Sequence, residues 1–179
     1  MMTRTIFAAA IVLFLTAPLL AQEEVDREFG DLIFYRDDDG NIQKVKDVKV
    51  ESATYESVSY TARGRRSSSE KEGSRVLSVS YGDAPGVYQA GMIALTRQQF
   101  QKASEDLEGA KAAVEAGITR PWLLEYAAVN KGLALTALGQ LEPLHIADAI
   151  KQFEEALKLN PKSLLYDKIQ LGLVQCYTL

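Results

Sequence analysis

Two stretches of this 179-residue chain carry the same sparse pattern of small and large residues. Gly91, Phe100, Ala103, Leu107 and Ala110 are echoed by Gly132, Leu141, Ala149, Phe153 and Ala156, and Asn160-Pro161 closes the second stretch. Small residues recur where two antiparallel helices would cross closely, and large apolar residues fill the neighbouring positions. A helical hairpin cannot bury such a face alone, so hairpins that carry it stack and share a core. The 3.6-residue period sets in after Gly82-Asp83-Ala84-Pro85-Gly86 and predicts helices at about 86–97, 99–116, 121–138, 145–159 and 163–178. Pro85 is placed to open the first helix, and Pro121 and Pro161 sit at helix starts or in the turns before them. Gly117 and Gly139 fall where helices should end.

These residues resemble the tetratricopeptide repeat (TPR) family. The run from Ala149 to Pro161 carries the likeness most specifically: Ala149, Phe153 and Ala156 keep one helical face, and Asn160-Pro161 stops it. In the first unit the family's small positions fall on Gly91, Ala103 and Ala110, and its bulky ones on Phe100 and Leu107. Ala94 is smaller than the family pattern expects, and no proline ends that unit. In the second unit Gly132, Leu135, Gly139 and Leu141 match before the register slips across Glu142-Pro143-Leu144-His145-Ile146, so a longer turn is expected there. A third unit, built on Leu164, Ile169, Leu171, Gly172 and Val174, has a first helix and no second. The alternative reading of the same periodicity is an unrelated Ala-rich bundle.

The resemblance implies a solenoid of about two and a half repeats over residues 86–179, and a binding scaffold rather than an enzyme. In the family, the first helix of each unit lines a concave groove. Its contact positions fall here on Tyr88, Met92 and Leu95, and on Tyr126, Val129 and Leu133. Aromatic and Met side chains on such a face suit contact with a peptide or a helix of a partner protein. The alternative is that they pack on the preceding module or the next helix. At the chain end, Leu165, Ile169, Leu173 and Cys176 follow helical spacing, with Leu171 and Val174 beside them. Ile169 and Leu173 are therefore expected to belong to a second contact surface, through which residues 163–179 self-associate or bind a partner.

Residues 31–82 read as a small antiparallel β-module. Asp31 to Tyr35 form a short apolar strand, Asp37 to Asn41 have the composition of a tight turn, and Val48 and Val50 share a face on the far side. Val58 and Tyr60 alternate with Ser57, Ser59 and Thr61, and Val76 to Tyr81 is the clearest strand of the set. The segment from Arg63 to Ser74, rich in Arg, Ser, Glu and Gly, reads as a mobile loop or a weak hairpin. So few large residues on four or five short strands make a small barrel or a curled sheet. The order of strands and the Gly40 turn resemble the SH3-like and Sm-like β-modules that precede repeats in some exported bacterial proteins. The fold class is α+β.

At the N-terminus, Arg4, the apolar run Ile6–Leu15 and a small residue at Ala21 have the layout of a secretory signal peptide over residues 1–21. The run is short of the roughly 20 apolar residues of a membrane span; an uncleaved anchor is the alternative. Residues 22–30 read as a flexible leader. The expected location is periplasmic or extracellular, with no stable membrane insertion after cleavage. The formal net charge of −4 becomes slightly more negative without Arg4 and favours no nucleic-acid partner.

Chemistry is sparse. His145 is the single histidine and Cys176 the single cysteine. One His without a second ligand nearby cannot build a zinc site of the usual spacing, and Cys176 on an apolar helix face reads as a buried thiol. Asp37, Asp39 and Asn41 fail as a calcium loop, because Tyr35 and Lys46 occupy its end positions. Arg63, Arg65 and Arg66 read as a solvated basic loop. No catalytic residue, cofactor or metal site is expected. The sequence therefore predicts an exported, non-enzymatic scaffold for protein–protein interaction in a bacterial envelope. The alternative is a structural subunit, or a fragment of a larger repeat protein, assembled through its open C-terminal helix.

Overall fold

The structure is a computed structural model that describes residues 30–179. The expected signal peptide and the leader up to residue 29 lie outside the described residues. Five antiparallel strands are followed by five helices, so the chain is α+β, with the change of period near residue 82 marking the boundary. The strands are β1 (Asp31–Arg36), β2 (Ile42–Ala53), β3 (Ser57–Ala62), β4 (Ser68–Glu72) and β5 (Val76–Ser80). The helices are α1 (Gly86–Thr96), α2 (Phe100–Glu115), α3 (Trp122–Gly139), α4 (Ile146–Leu159) and α5 (Tyr166–Thr178). The inserted turn before α4 contains a short 3-10 helix, Pro143–His145, opened by its proline.

The strand order is β4-β3-β2-β1-β5. A flat sheet would hold β4 and β5 about 19 Å apart, four strand spacings. Only the 3-10 turn Gly73–Arg75 joins them, and that stretch reaches about 14 Å at most. The sheet must therefore curl. Lys71 on β4 accordingly lies 4.0 Å from the ring centroid of Tyr35 on β1, three strands away in the order. The curled sheet is one of the two shapes expected; closure into a barrel does not occur, because β4 and β5 do not pair with each other. Gly73 is required at the bend, since a Cβ there would stand 2.3 Å from the Tyr55 carbonyl oxygen.

Three bulges shift the register of the sheet: one on β2 at Glu51 opposite Tyr60 and Ser59, and two that reset the alternation of inward side chains. On β2, Val45 opposes Ile33 and Val48 opposes Asp31, so one extra residue sits between them. Asp47 absorbs it in the left-handed region (φ 56°), which Asp tolerates better than most residues. Val45, Val48 and Val50 thereby share the inner face despite their uneven spacing. On β5, Ser78 pairs with Phe34 and Val76 with Tyr35, which leaves Leu77 as the extra residue. Val76 and Val79 both point inward, and Leu77 is 45% exposed. The segment Arg63–Ser74, expected as a loop or weak hairpin, contains strand β4. Its Ser-Ser-Glu-Lys-Glu composition carries no apolar alternation, and pairing with β3 from Thr61↔Ser68 to Ser57↔Glu72 holds it.

Consecutive helices pack against one another, with α1 also touching α3 and α3 touching α5. The small residues mark the close crossings. A Cβ at Gly91 would lie 2.9 Å from Leu107 Cγ, and one at Gly132 would lie 2.7 Å from Phe153 Cε1. The Gly–large pair recognised in the sequence is thus the same contact made twice. Ala103, Ala110, Ala149 and Ala156 are fully buried. One core cluster joins Ile33, Val48 and Val58 of the sheet to Leu107, Leu123 and Tyr126 of the helices. A second, centred on Phe153, unites α3, α4 and α5. The sheet and the first helices therefore share one core.

Candidate functional site

The first residue of β1 and the last turn before α3 are bolted together by charge. Asp31 is fully buried and accepts backbone N–H bonds from Val50 (2.8 Å) and Gly82 (2.9 Å). Arg120 adds a fork from the helical side, donating to Asp31 Oδ1 (2.7 Å) and Oδ2 (3.0 Å). The same guanidinium donates to Asp83 Oδ2 through Nε (3.1 Å), to Asp83 Oδ1 (2.8 Å) and to the Val50 carbonyl (3.2 Å). All five N–H donors of the planar guanidinium are used, a pattern that lysine cannot reproduce. Asp83 also accepts from the Thr119 hydroxyl, the Arg120 backbone and the Trp122 indole. Trp122 stacks on Tyr81 at 4.0 Å between ring centroids, with Tyr88 and Tyr126 edge-on to it.

A second latch lies further along the seam. Tyr55 N–H donates to the Lys162 carbonyl (2.9 Å), and Thr54 bridges to Ser163. Glu125, 8% exposed, accepts from Asn160 Nδ2 (2.9 Å) and from the Ser163 hydroxyl. A depression of about 520 Å³ beside these groups is lined by Arg120 and Glu125, whose polar atoms are already occupied by the bonds above.

The two carboxylates respond oppositely to pH. Burial would raise the Asp83 pKa, but the hydrogen bonds from Arg120 and Trp122 outweigh it and hold the group at about 2. Burial raises the Glu125 pKa above its usual value, only partly offset by Ser163 and Asn160. A carboxylate depressed on folding stabilises above its unfolded pKa and loses that contribution as pH falls through the folded value; a raised one gains on protonation. The stability advantage of wild type over Asp83→Asn is therefore expected to be full above about pH 4 and to shrink toward pH 2. The comparison with Glu125→Gln runs the other way: wild type gains on the variant as pH falls from 7 through the Glu125 pKa. Urea midpoints across pH 2–7 check both, and parallel curves for all three proteins would refute the assignment.

This seam decides what becomes of the residues expected to line a concave groove. Tyr88 and Tyr126, 9% and 7% exposed, pack into the aromatic cluster against the sheet. Leu95 is half-buried against the same core. Val129 is fully buried and Leu133 packs beside it, both in the Phe153 cluster. Leu95, Val129 and Leu133 thus pack among the helices and against the core, while Tyr88 and Tyr126 pack on the sheet and also line a cleft. Ile169 is fully buried and Leu173 packs with it against α3 and α4, so α5 folds back on the helices before it. The surface that α5 leaves open is instead Leu171, Val174 and Tyr177, each 58–70% exposed. Cys176 is buried, 3.2 Å from the Thr136 hydroxyl.

Met92 is the sixth of the expected groove residues. It lines two adjoining depressions of about 410 and 550 Å³ that share Val79, Tyr88, Met92 and Tyr126. The first extends along Val76 to Ser78, to Leu164 and Leu165 before α5, and to Asp167 and Lys168 in its first turn; the second extends to Tyr81, Gln89 and Ile93. Together they form a cleft with the edge strand β5 on one side and α1 and α3 on the other. Its lining is mostly apolar or aromatic, with Ile93 at the lip 53% exposed. The Tyr126 hydroxyl itself is buried and makes no hydrogen bond. The nearby Tyr81 phenol contributes, after burial, to raising the Tyr126 pKa, yet no bond of normal geometry links the two. The Tyr88 hydroxyl accepts from Asn130 Nδ2 at 3.3 Å, and burial pushes its pKa up to about 12. Both phenols are therefore neutral at physiological pH.

Among the described residues, no group of three or more His, Cys, Asp or Glu gathers where it could hold a metal ion. No helix among them is long and apolar enough to cross a membrane. The chain matches no protein-family model, no curated protein and no solved structure.

Proposed function

We propose that this protein is an exported, non-enzymatic, TPR-like scaffold that binds a segment of a partner protein in the cleft between β5 and helices α1 and α3. The observation that carries the reading is the cleft itself. A largely apolar and aromatic trough with a half-buried Met at its centre has the makeup of a peptide-recognition site. The repeated Gly91–Leu107 and Gly132–Phe153 contacts support stacked hairpins of the TPR kind. Export rests on Arg4, Ile6–Leu15 and Ala21. The seam uses the polar groups that a catalytic site would otherwise draw on, which favours binding over chemistry.

A second reading is favoured by one observation, the exposed stripe Leu171, Val174 and Tyr177 on α5. It makes the protein a structural subunit joined to its assembly through that helix. One experiment separates the two. A displayed library of random peptides is selected on the purified protein, and the selected peptides are measured against Ile93→Glu and against Leu171→Glu/Val174→Glu. Ile93 and the α5 pair are exposed, so neither variant disturbs the core. Loss of roughly tenfold or more in affinity on Ile93→Glu alone is expected. Loss on the α5 variant alone would move the site to the chain end.

A further inference from the structure

The two edges of the curled sheet are built differently. Strand β4 presents Ser68 to Glu72, with three charged residues in five, and such charges keep an edge from pairing with other strands. Strand β5 presents Val-Leu-Ser-Val-Ser, with no charge, no proline and no glycine. Nothing pairs with its outer side among the described residues. The cleft is lined by consecutive residues of this strand, Val76 to Val79 in one depression and Val79 to Tyr81 in the other. Side chains on one face of a strand alternate, so lining by consecutive residues means that the cleft runs along the strand's edge. Its open backbone N–H and C=O groups therefore form one wall, while Tyr88, Met92 and Tyr126 form the other.

From this we infer that the cleft takes its partner as an extended strand, which adds to β5 as a sixth strand of the sheet. This rests on the peptide-binding reading above and specifies its mode. A helix would bring no free backbone groups to the edge, whereas an extended segment satisfies the edge and offers alternate side chains to the apolar wall. The bulge at Leu77 limits regular pairing to Ser78–Ser80, so the contact is short in backbone and long in side chain. The occupant is a segment of a partner protein with apolar side chains at alternate positions toward Tyr88, Met92 and Tyr126, and with polar groups where Asp167 and Lys168 line the cleft.

The test uses peptides selected as above, remade with an N-methyl group at each position in turn. Strand addition predicts losses of roughly tenfold at alternate positions and little change between them, because every second N–H faces the edge. Hydrogen exchange on the complex should show newly protected amides within Ser78–Ser80. Peptides that depend on Ile93 but show no alternation, with β5 amides unprotected, would overturn strand addition and leave the peptide-binding reading standing. A selection that yields no peptide sensitive to Ile93→Glu would overturn both. A dimer in light scattering whose β5 amides are already protected without peptide would assign the edge to a second copy, and would equally overturn the proposal.

Discussion

Arg120→Ala is expected to cost about 3–5 kcal/mol of folding stability, among the largest effects of any single substitution in this chain. The loss does not come from the charge alone. Asp31 is fully buried and Asp83 is 14% exposed at the side chain, so both carboxylates would remain where water reaches them poorly. The two backbone N–H bonds to Asp31 survive, but its countercharge does not. Arg120→Lys should recover little, since one ammonium cannot serve two carboxylates and the Val50 carbonyl together. Urea denaturation of both variants, and of Asp83→Ala alone and combined with Arg120→Ala, gives the coupling between them. A cost below about 1 kcal/mol for Arg120→Ala would place the network among surface ion pairs of no consequence.

Phe153→Ala should cost about as much, roughly 3–5 kcal/mol, by a different route. Phe153 is fully buried and fills the space left by two glycines on facing helices. A Cβ at Gly172 would stand 2.3 Å from its Cζ, and one at Gly132 would stand 2.7 Å from its Cε1. Helices that meet across glycines cannot close the cavity by side-chain movement. Gly172→Ala alone should also destabilise, because the ring has no room to retreat. Combined with Phe153→Leu, however, it should cost less than the sum of the two single changes. Thermal or urea unfolding of the four proteins reads the cycle, and strict additivity would mean that Gly172 and Phe153 do not share the contact.

The helical half was legible because its signal is local and repeated. The boundaries expected for the five helices fall within three residues of those observed, and the Gly91 and Gly132 positions identified the close crossings. The strands were legible where apolar and polar residues alternate without interruption, as at Val58 and Tyr60. They were less so at Asp47 and Leu77, where a bulge shifts the phase, and not at all in β4, whose residues are charged on both faces. The seam could not be read. Asp31, Asp83 and Arg120 lie far apart in sequence, and each sits in a stretch whose composition is that of an ordinary turn or strand end. Tyr88 and Tyr126 were singled out by the contact positions of the repeat family that the chain resembles, but those positions do not distinguish a face left to a partner from one filled by the chain's own sheet.

That distinction can be measured directly, because Trp122 is the only tryptophan and sits stacked on Tyr81 at the seam. Urea unfolding of the purified protein is followed at once by Trp122 fluorescence and by far-ultraviolet circular dichroism of the helices. If the sheet fills the helical face and leaves the β5 cleft to a partner, the two signals change together in a single transition with one midpoint. If fluorescence is lost first, with the helices still formed, the sheet is only loosely docked. The wall of Tyr88, Met92 and Tyr126 would then not be held against β5, and the cleft would not exist as a preformed site.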